Sequence, residues 1–196
     1  MSPTQRTVQN NILRSGHLPA IEIQIHPEFS YAGSTTFILY DVASVEQHHF
    51  IVPDEANRVV RRLWFQFEGY LEDNHHTYDY SGLETLTLNG FTFCHNAYPM
   101  NIDEVYRERP TSDSAHVVDF LKGKGYLLGG DLMSHRMVWL DPDRRNELMI
   151  IYSEALGPTG YGASALSEGG PAAAEWPALS KALQERSLAS FTIRGN

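Results

Sequence analysis

Residues 59–80 have the sequence VVRRLWFQFEGYLEDNHHTYDY, which joins a long strand pattern to a turn and to the densest group of aromatic, histidine and acidic side chains in the chain. Side chains of a β-strand point alternately to its two faces. One face of this strand ends in an apolar run: Leu63, Phe65 and Phe67. The other face mixes aromatic and polar side chains: Trp64, Gln66, Glu68 and Tyr70. The first face is typical of a packed core, and the second either faces solvent or lines a polar cavity.

A turn is predicted directly after this strand, because residues 71–76, LEDNHH, contain the turn-forming Asp and Asn. Residues 76–80, HTYDY, then have the pattern of another strand. Side chains at alternate positions of that strand would share one face: His76, Tyr78 and Tyr80.

Most of the remaining chain consists of short alternating or β-branched runs separated by turn residues. Further strands are predicted at residues 20–26, 35–43, 48–52, 83–88, 91–95, 126–140, 147–156 and 190–196. Asn89–Gly90 between two of these runs is a strong signal for a tight hairpin. Neighbouring strands joined by short turns pair antiparallel, so the predicted sheet is mainly antiparallel.

Two helices are predicted. Residues 111–123 carry a helical stripe behind a capping Thr111 or Ser112, and a second helix covers about residues 176–188. Residues 1–19 are predicted to be a flexible or weakly helical arm, and residues 20–196 a single β-rich domain that includes the C-terminal helix. Two segments rich in Pro, Gly, Ser or Asn are predicted to be loops: 96–110 and 157–174.

These elements predict an α+β fold that is predominantly antiparallel β. A curved sheet or a small β-barrel, with about two helices, accounts for the hairpins most economically. The strand count is similar to that of calycin-like barrels, which is an analogy of layout alone. A two-layer arrangement, with helices on one face of the sheet, is the alternative.

Charge and composition exclude some classes of partner. The chain of 196 residues has 15 Lys and Arg against 24 Asp and Glu, a formal net charge of −9. Such a charge argues against nucleic acid or an anionic membrane as the main partner. The single cysteine, Cys94, permits no intrachain disulfide. Without a signal-peptide pattern or a run of about 20 apolar residues, a soluble, cytoplasmic protein is expected.

The first functional hypothesis is a binding domain for a small, partly apolar or aromatic molecule. A second mixed face occurs on the predicted strand at 126–140, and we expect it to meet the mixed face of residues 59–70 in one enclosed cavity. The predicted ligand-binding residues are Trp64, Gln66, Tyr70, Tyr78, Asp131, Met133, Met137 and Trp139.

The second hypothesis is a small cofactor-independent isomerase, lyase or hydrolase on the same scaffold. Burial beside aromatic rings would raise the pKa of Glu68, and a nearby histidine would complete an acid–base pair. The candidate catalytic residues are Glu68, His76 and His135. No HExxH, GxSxG or P-loop motif is present, so the sequence implies neither a particular reaction nor a cofactor.

Two further alternatives stay open. In the third hypothesis, the protein is a non-catalytic domain that mediates homo-oligomerisation. The histidine pairs His48–His49 and His75–His76 belong either to half-solvated strand ends or to a metal site. Adjacent residues of a strand point to opposite faces, so each pair would supply at most one ligand to a site, and no metal site is predicted.

Overall fold

The structure is a computed structural model, and it describes residues 6–194. Its strands are β1 (Thr7–Gln9), β2 (Ile12–Gly16), β3 (Ala20–Ile25), β4 (Ser30–Leu39), β5 (Ala43–Pro53), β6 (Val59–Tyr70), β7 (Glu84–Leu88), β8 (Phe91–Asn101), β9 (Asp131–Leu140), β10 (Asn146–Ala155) and β11 (Phe191–Arg194). Its α-helices are α1 (Ile102–Glu108), α2 (Asp113–Gly123), α3 (Ala163–Leu166) and α4 (Trp176–Ala189). The prediction of an antiparallel α+β fold is confirmed.

Seven strands form a large antiparallel sheet in the order β4-β5-β6-β10-β9-β8-β7. Within residues 6–194, β4 and β7 each pair with one strand only, so the sheet is open and the predicted barrel is wrong. Other elements cover both faces of this sheet, so its apolar side chains are buried without closure into a barrel. Each of the two central strands, β6 and β10, lies between two neighbours.

Four strands form a small sheet in the order β1-β2-β3-β11. The clean alternation of β3 was predicted correctly, because Ile21, Ile23 and Ile25 are buried. β1 and β2 pair as a hairpin, so the prediction of a flexible or weakly helical arm is wrong for residues 7–16. Backbone pairing with β3 holds this polar stretch in the sheet despite its weak pattern.

The large sheet separates two hydrophobic clusters. On one face, which we call the apolar face, Leu63, Phe65 and Phe67 pack in a cluster that also contains residues of the small sheet and α4. The opposite face lies against α1 and α2, and its cluster contains Trp64 and Val117. The prediction that the Leu63 face is core is therefore confirmed, and the strand itself is buried on both sides.

The helices agree with the sequence in part. The Ser112 Oγ accepts a hydrogen bond from the Ala115 N at 3.2 Å and caps α2 as predicted. The predicted loop at 96–110 is wrong, because β8 continues to Asn101 and that residue caps α1. The predicted loop at 157–174 contains the short α3, and α4 and β11 follow as expected. None of the helices in residues 6–194 has the length and apolar character that crossing a membrane requires.

Candidate functional site

Polar side chains occupy the sheet face that lies against α1 and α2. We call this surface the polar face, defined by Gln47, His49, Arg62, Trp64, Gln66, Glu68, Glu147 and Ser153. The strand registers place Glu68 opposite Glu147, Gln66 opposite Gln47, and Arg62 opposite Ser153. These residues are less than 10% exposed. The alternative that the Trp64 face is solvated is therefore excluded.

A chain of hydrogen bonds orders one end of the polar face. The Gln47 Nε2 donates to the Gln66 Oε1 at 2.6 Å, and the Gln66 Nε2 donates to the Glu68 Oε2 at 2.7 Å. The Tyr78 hydroxyl donates to the other oxygen of Glu68 at 2.8 Å. Because the chain ends on a carboxylate, it also determines which way each amide points.

Glu147 is the second carboxyl at this end, and the Tyr80 hydroxyl donates to its Oε2 at 2.9 Å. Burial, followed by the nearby charge of Glu68, raises the pKa of Glu147 to about 8. Burial also raises the pKa of Glu68. Two neighbouring buried carboxyls resist double ionisation, so the pair retains a proton near neutral pH.

The segment that supplies both tyrosines has no regular secondary structure, so the strand predicted at 76–80 is wrong. Side-chain contacts hold it instead. The Tyr78 ring stacks on Tyr70 with 4.4 Å between centroids, and the Arg144 Nε donates to the Tyr78 carbonyl at 2.8 Å. The Arg136 guanidinium lies 5.5 Å from the centre of the Tyr80 ring.

Arg62 lies at the other end of the polar face. Its side chain lies in the interior, and the residue is 3% exposed. The Arg62 Nε donates to the Ser153 Oγ at 3.3 Å, and the guanidinium lies 5.2 Å from the centre of the Trp64 ring. Burial lowers the pKa of Arg62 to about 10. Within residues 6–194, no carboxylate forms an ion pair with it.

Four buried side-chain atoms of the described chain have no hydrogen-bond partner: Gln47 Oε1, His49 Nε2, Arg62 Nη1 and Trp64 Nε1. All four belong to the polar face, and they come from the adjacent strands β5 and β6. Buried polar groups are almost always paired, and leaving one unpaired costs about 1–3 kcal/mol. The polar face therefore presents donors and an acceptor for which residues 6–194 provide no partner.

An apolar cavity of about 520 Å³ adjoins the Arg62 end of the polar face. Val60 and Ala155 line it, and they are the next residues on this face after Arg62 and Ser153. α2 contributes Val118 to the opposite wall. Successive residues on one strand face are separated by about 7 Å, so the cavity begins one residue pair along the strands from Arg62 and Ser153, and Arg62 itself is not among its lining residues.

The structure brings together part of the predicted site. Trp64, Gln66, Glu68 and Tyr70 share one face of β6, and Tyr78 contacts that face through Glu68 and Tyr70. The predicted ligand-binding role of these residues stays a prediction.

The second mixed face does not join this site. His135 on β9 pairs with Tyr152 on β10, and Tyr152 pairs with Leu63 on β6, so His135 lies on the apolar face. The expectation that both mixed faces meet in one cavity is therefore wrong, since the sheet lies between them. The other four predicted residues of β9 alternate with His135 and therefore also lie on the apolar side of the sheet: Asp131, Met133, Met137 and Trp139.

Within residues 6–194, neither candidate histidine is hydrogen-bonded to Glu68, whose partners are Gln66 and Tyr78. His135 is completely buried, with its Nδ1 2.9 Å from the Ser187 Oγ and its Nε2 3.2 Å from the His95 Nδ1. Burial, and then the neighbouring His95, lower the pKa of His135 to about 4. His76 is exposed in the segment before Tyr78. The predicted pair of Glu68 with His135 is therefore wrong in geometry, and the pair with His76 stays a prediction.

The histidine pairs do not assemble a metal centre. In the part of the chain that the structure describes, no group of three or more His, Cys, Asp or Glu side chains is placed to hold a metal ion. His48 and His49 point to opposite faces of β5. The His48 Nε2 lies 2.8 Å from the Glu46 Oε1, and the His49 ring stacks on Phe120 with 4.6 Å between centroids.

Several residues of the site escaped the sequence prediction. Glu147 lies within ELMIIYSEAL, where both faces of the strand are buried and no alternation marks a polar side. Gln47 directly precedes the pair His48–His49, and nothing in its local sequence marks it as buried. Arg62 lies on the mixed face of β6, but an arginine in a strand pattern carries no sign of burial. The alternate positions of Gln47 and His49, and of Arg62 and Trp64, were the available signal.

Comparison with known proteins finds no matching family model, no matching curated protein and no matching solved structure.

Proposed function

We propose that this protein binds a small molecule on the polar face, between the large sheet and α2. The observation that carries the proposal is the set of unpartnered atoms on Gln47, His49, Arg62 and Trp64. A ligand that paired with them would offset the cost of burying these groups.

The composition of the site supports this function. Binding sites usually combine apolar and aromatic walls with a few oriented polar groups. Here Trp64 provides the aromatic wall, and Tyr78 lies at the end of the polar face that carries Glu68 and Glu147. The hydrogen bonds through Gln66 hold Gln47 in one orientation, so its free carbonyl is ready to accept a bond from a ligand. A prearranged acceptor reduces the ordering cost of binding.

An acid–base enzyme on the same face is the second candidate, and the Glu68–Glu147 pair favours it. A carboxyl whose pKa is raised to about 8 can hold or release a proton near neutral pH. The acid–base partners would then be Glu147 and Glu68, with Tyr80 and Tyr78 hydrogen-bonded to them, and no histidine would take part.

A thermal-shift screen of small polar and aromatic compounds tests the binding function. A compound present at 100 times its Kd stabilises the folded state by about 2.7 kcal/mol, which corresponds to roughly 5–10 °C in Tm for a chain of this size. The Gln47→Leu variant should lose most of that shift, because it removes the free acceptor and the bond to Gln66.

Gln24→Leu is the matched control. Gln24 is a strand glutamine of the small sheet whose Nε2 donates to the backbone carbonyls of Asn11 and Ile25, so its replacement should leave the ligand-induced shift intact. Shifts of equal size in wild type and Gln47→Leu for every active compound would refute a binding site on the polar face.

A further inference from the structure

Arg62 gives the strongest indication of the ligand's chemistry. A guanidinium carries a permanent positive charge and up to five N–H donors. In this protein it is buried; within residues 6–194 its Nε donates to the neutral hydroxyl of Ser153, and its Nη1 has no hydrogen-bond partner. Isolated buried charges are strongly unfavourable, and proteins normally pair them. An anionic partner from outside the chain would complete this environment.

The atoms beside the guanidinium indicate the same partner. Arg62 Nη1 and Trp64 Nε1 are both donors without acceptors, and the Trp64 ring lies under the guanidinium. A ligand group that accepts hydrogen bonds from both nitrogen atoms must offer at least two lone pairs close together. Carboxylates and phosphates meet this requirement, and both suit the fork geometry of arginine.

The charge balance favours a single negative charge. Arg62 is the only fully buried cation among the polar-face residues, because burial lowers the pKa of His49 to about 3 and keeps it neutral. Glu68 and Glu147 lie on the same face, and Asp113 acts electrostatically on Arg62. A doubly charged phosphate would bring a second negative charge close to these acids, whereas a carboxylate would bring only one.

The adjoining cavity supplies room for the rest of the molecule. Its walls include the apolar Val60, Val118 and Leu128 and the charged Asp54, Arg58 and Lys122, and it begins one residue pair beyond Arg62 on the polar face. Apolar surface buried there would add to affinity through the hydrophobic effect.

We infer that the ligand of the polar face is a small monocarboxylate, whose carboxylate binds Arg62 and Trp64 Nε1 and whose apolar tail lies in the cavity beside Val60 and Val118. This inference rests on the proposed function and specifies its ligand class. A short aliphatic or aromatic carboxylic acid has this chemistry.

NMR of the full chain tests the carboxylate contact directly. The three tryptophans give separate indole N–H signals, and a Trp64→Phe variant identifies that of Trp64. Titration with hexanoate at constant ionic strength should shift this signal, whereas hexanamide, which has the same shape without the charge, should not. Inorganic phosphate should bind more weakly than hexanoate.

Arg62→Met separates a binding role from a structural one. It should weaken hexanoate binding by roughly 10- to 100-fold, because a charge-assisted contact is lost. The free variant should melt at the same temperature as wild type or a few degrees higher, since an unpaired buried charge is removed. Arg14→Met, at an exposed ion pair with Glu22 in the small sheet, is the control and should leave hexanoate binding unchanged.

The tail is tested by Val118→Phe, which reduces the cavity and should weaken hexanoate binding while acetate binding is retained. Equal affinities of wild type for hexanoate and hexanamide, or an unshifted Trp64 signal, would overturn the inference. So would a strongly destabilised Arg62→Met variant. If hexanamide binds and depends on Gln47 but not on Arg62, the proposed function stands and the carboxylate assignment fails.

Discussion

Glu68 and Glu147 are directly opposite each other on β6 and β10, and a tyrosine hydroxyl donates to each carboxyl. The tyrosines come from one irregular segment, so residues 78–80 connect two strands that belong to different hairpins. Burial raises the pKa of both carboxyls. The protonation of this pair therefore links the stability of the fold to pH.

Glu147→Gln should change that pH dependence. Between the ordinary pKa of 4.5 and the folded value of about 8, the folded protein holds a proton that the unfolded chain releases, so stability falls as pH rises. The slope approaches 1.4 kcal/mol per pH unit for one proton. Urea unfolding from pH 6.5 to 8 should show this decline in wild type and a flatter profile in the variant. Identical profiles would show that Glu147 ionises normally.

Tyr80→Phe removes the hydroxyl that donates to Glu147. The variant should lose about 1–3 kcal/mol of stability, because a buried carboxyl loses its partner. The pKa of Glu147 should rise further, since this hydrogen bond lowers it in wild type. Tyr40, which is 56% exposed, provides the control, and Tyr40→Phe should change stability by less than about 0.5 kcal/mol. A Tyr80→Phe variant as stable as this control would contradict the role of the hydroxyl.

His135 should produce the opposite pH dependence at lower pH. Its folded pKa of about 4 lies below the ordinary 6.5, so the unfolded chain takes up the proton first and stability falls as pH drops from 6.5 towards 4. His135→Gln should make the profile flatter in that range, while its amide can still bond to Ser187. Denaturant unfolding at pH 4.5, 5.5 and 6.5 measures the difference, and an unchanged slope would show that His135 is not the group responsible.

Phe65→Ala should be severely destabilising. Phe65 is completely buried on the apolar face, where it packs edge-on against Phe50 and Phe191. Removing the ring should cost about 3–5 kcal/mol, measured by urea unfolding at pH 7. Ile38 is half exposed on the edge strand β4, and Ile38→Ala should cost less than about 1 kcal/mol. Similar losses for both variants would place Phe65 outside the rigid core.

The strands and hairpins of the large sheet were largely predictable, because alternation and turn residues are local signals. The Asn89–Gly90 turn and the capping Ser112 are examples in which a short stretch determines its own structure. Such signals are weak in two regions. At residues 7–16 the structure depends on pairing with β3, and at residues 96–110 it depends on a helix cap that the pattern of apolar residues does not reveal.

The site was only half predictable for the same physical reason. Trp64, Gln66 and Glu68 share a face by the alternation of one strand, which a sequence shows. Whether His135 joins them depends on the register of β6 with β10 and of β10 with β9. A shift of one residue in either pairing would exchange the faces. The turn between β9 and β10 is a local signal for their register, but no turn joins β6 to β10, so no local signal specifies that pairing.

The pairing of β6 with β10 also has a kinetic consequence. Glu68 and Glu147 are 79 residues apart in the chain (147 − 68), although each belongs to a hairpin with a short turn. Contacts this distant in sequence slow folding, because a long loop must close before they form. The two hairpins can form early and separately, and the polar face exists only after they dock. Measured folding should therefore be slower than formation of either hairpin, with the carboxyl pair among the last contacts to form.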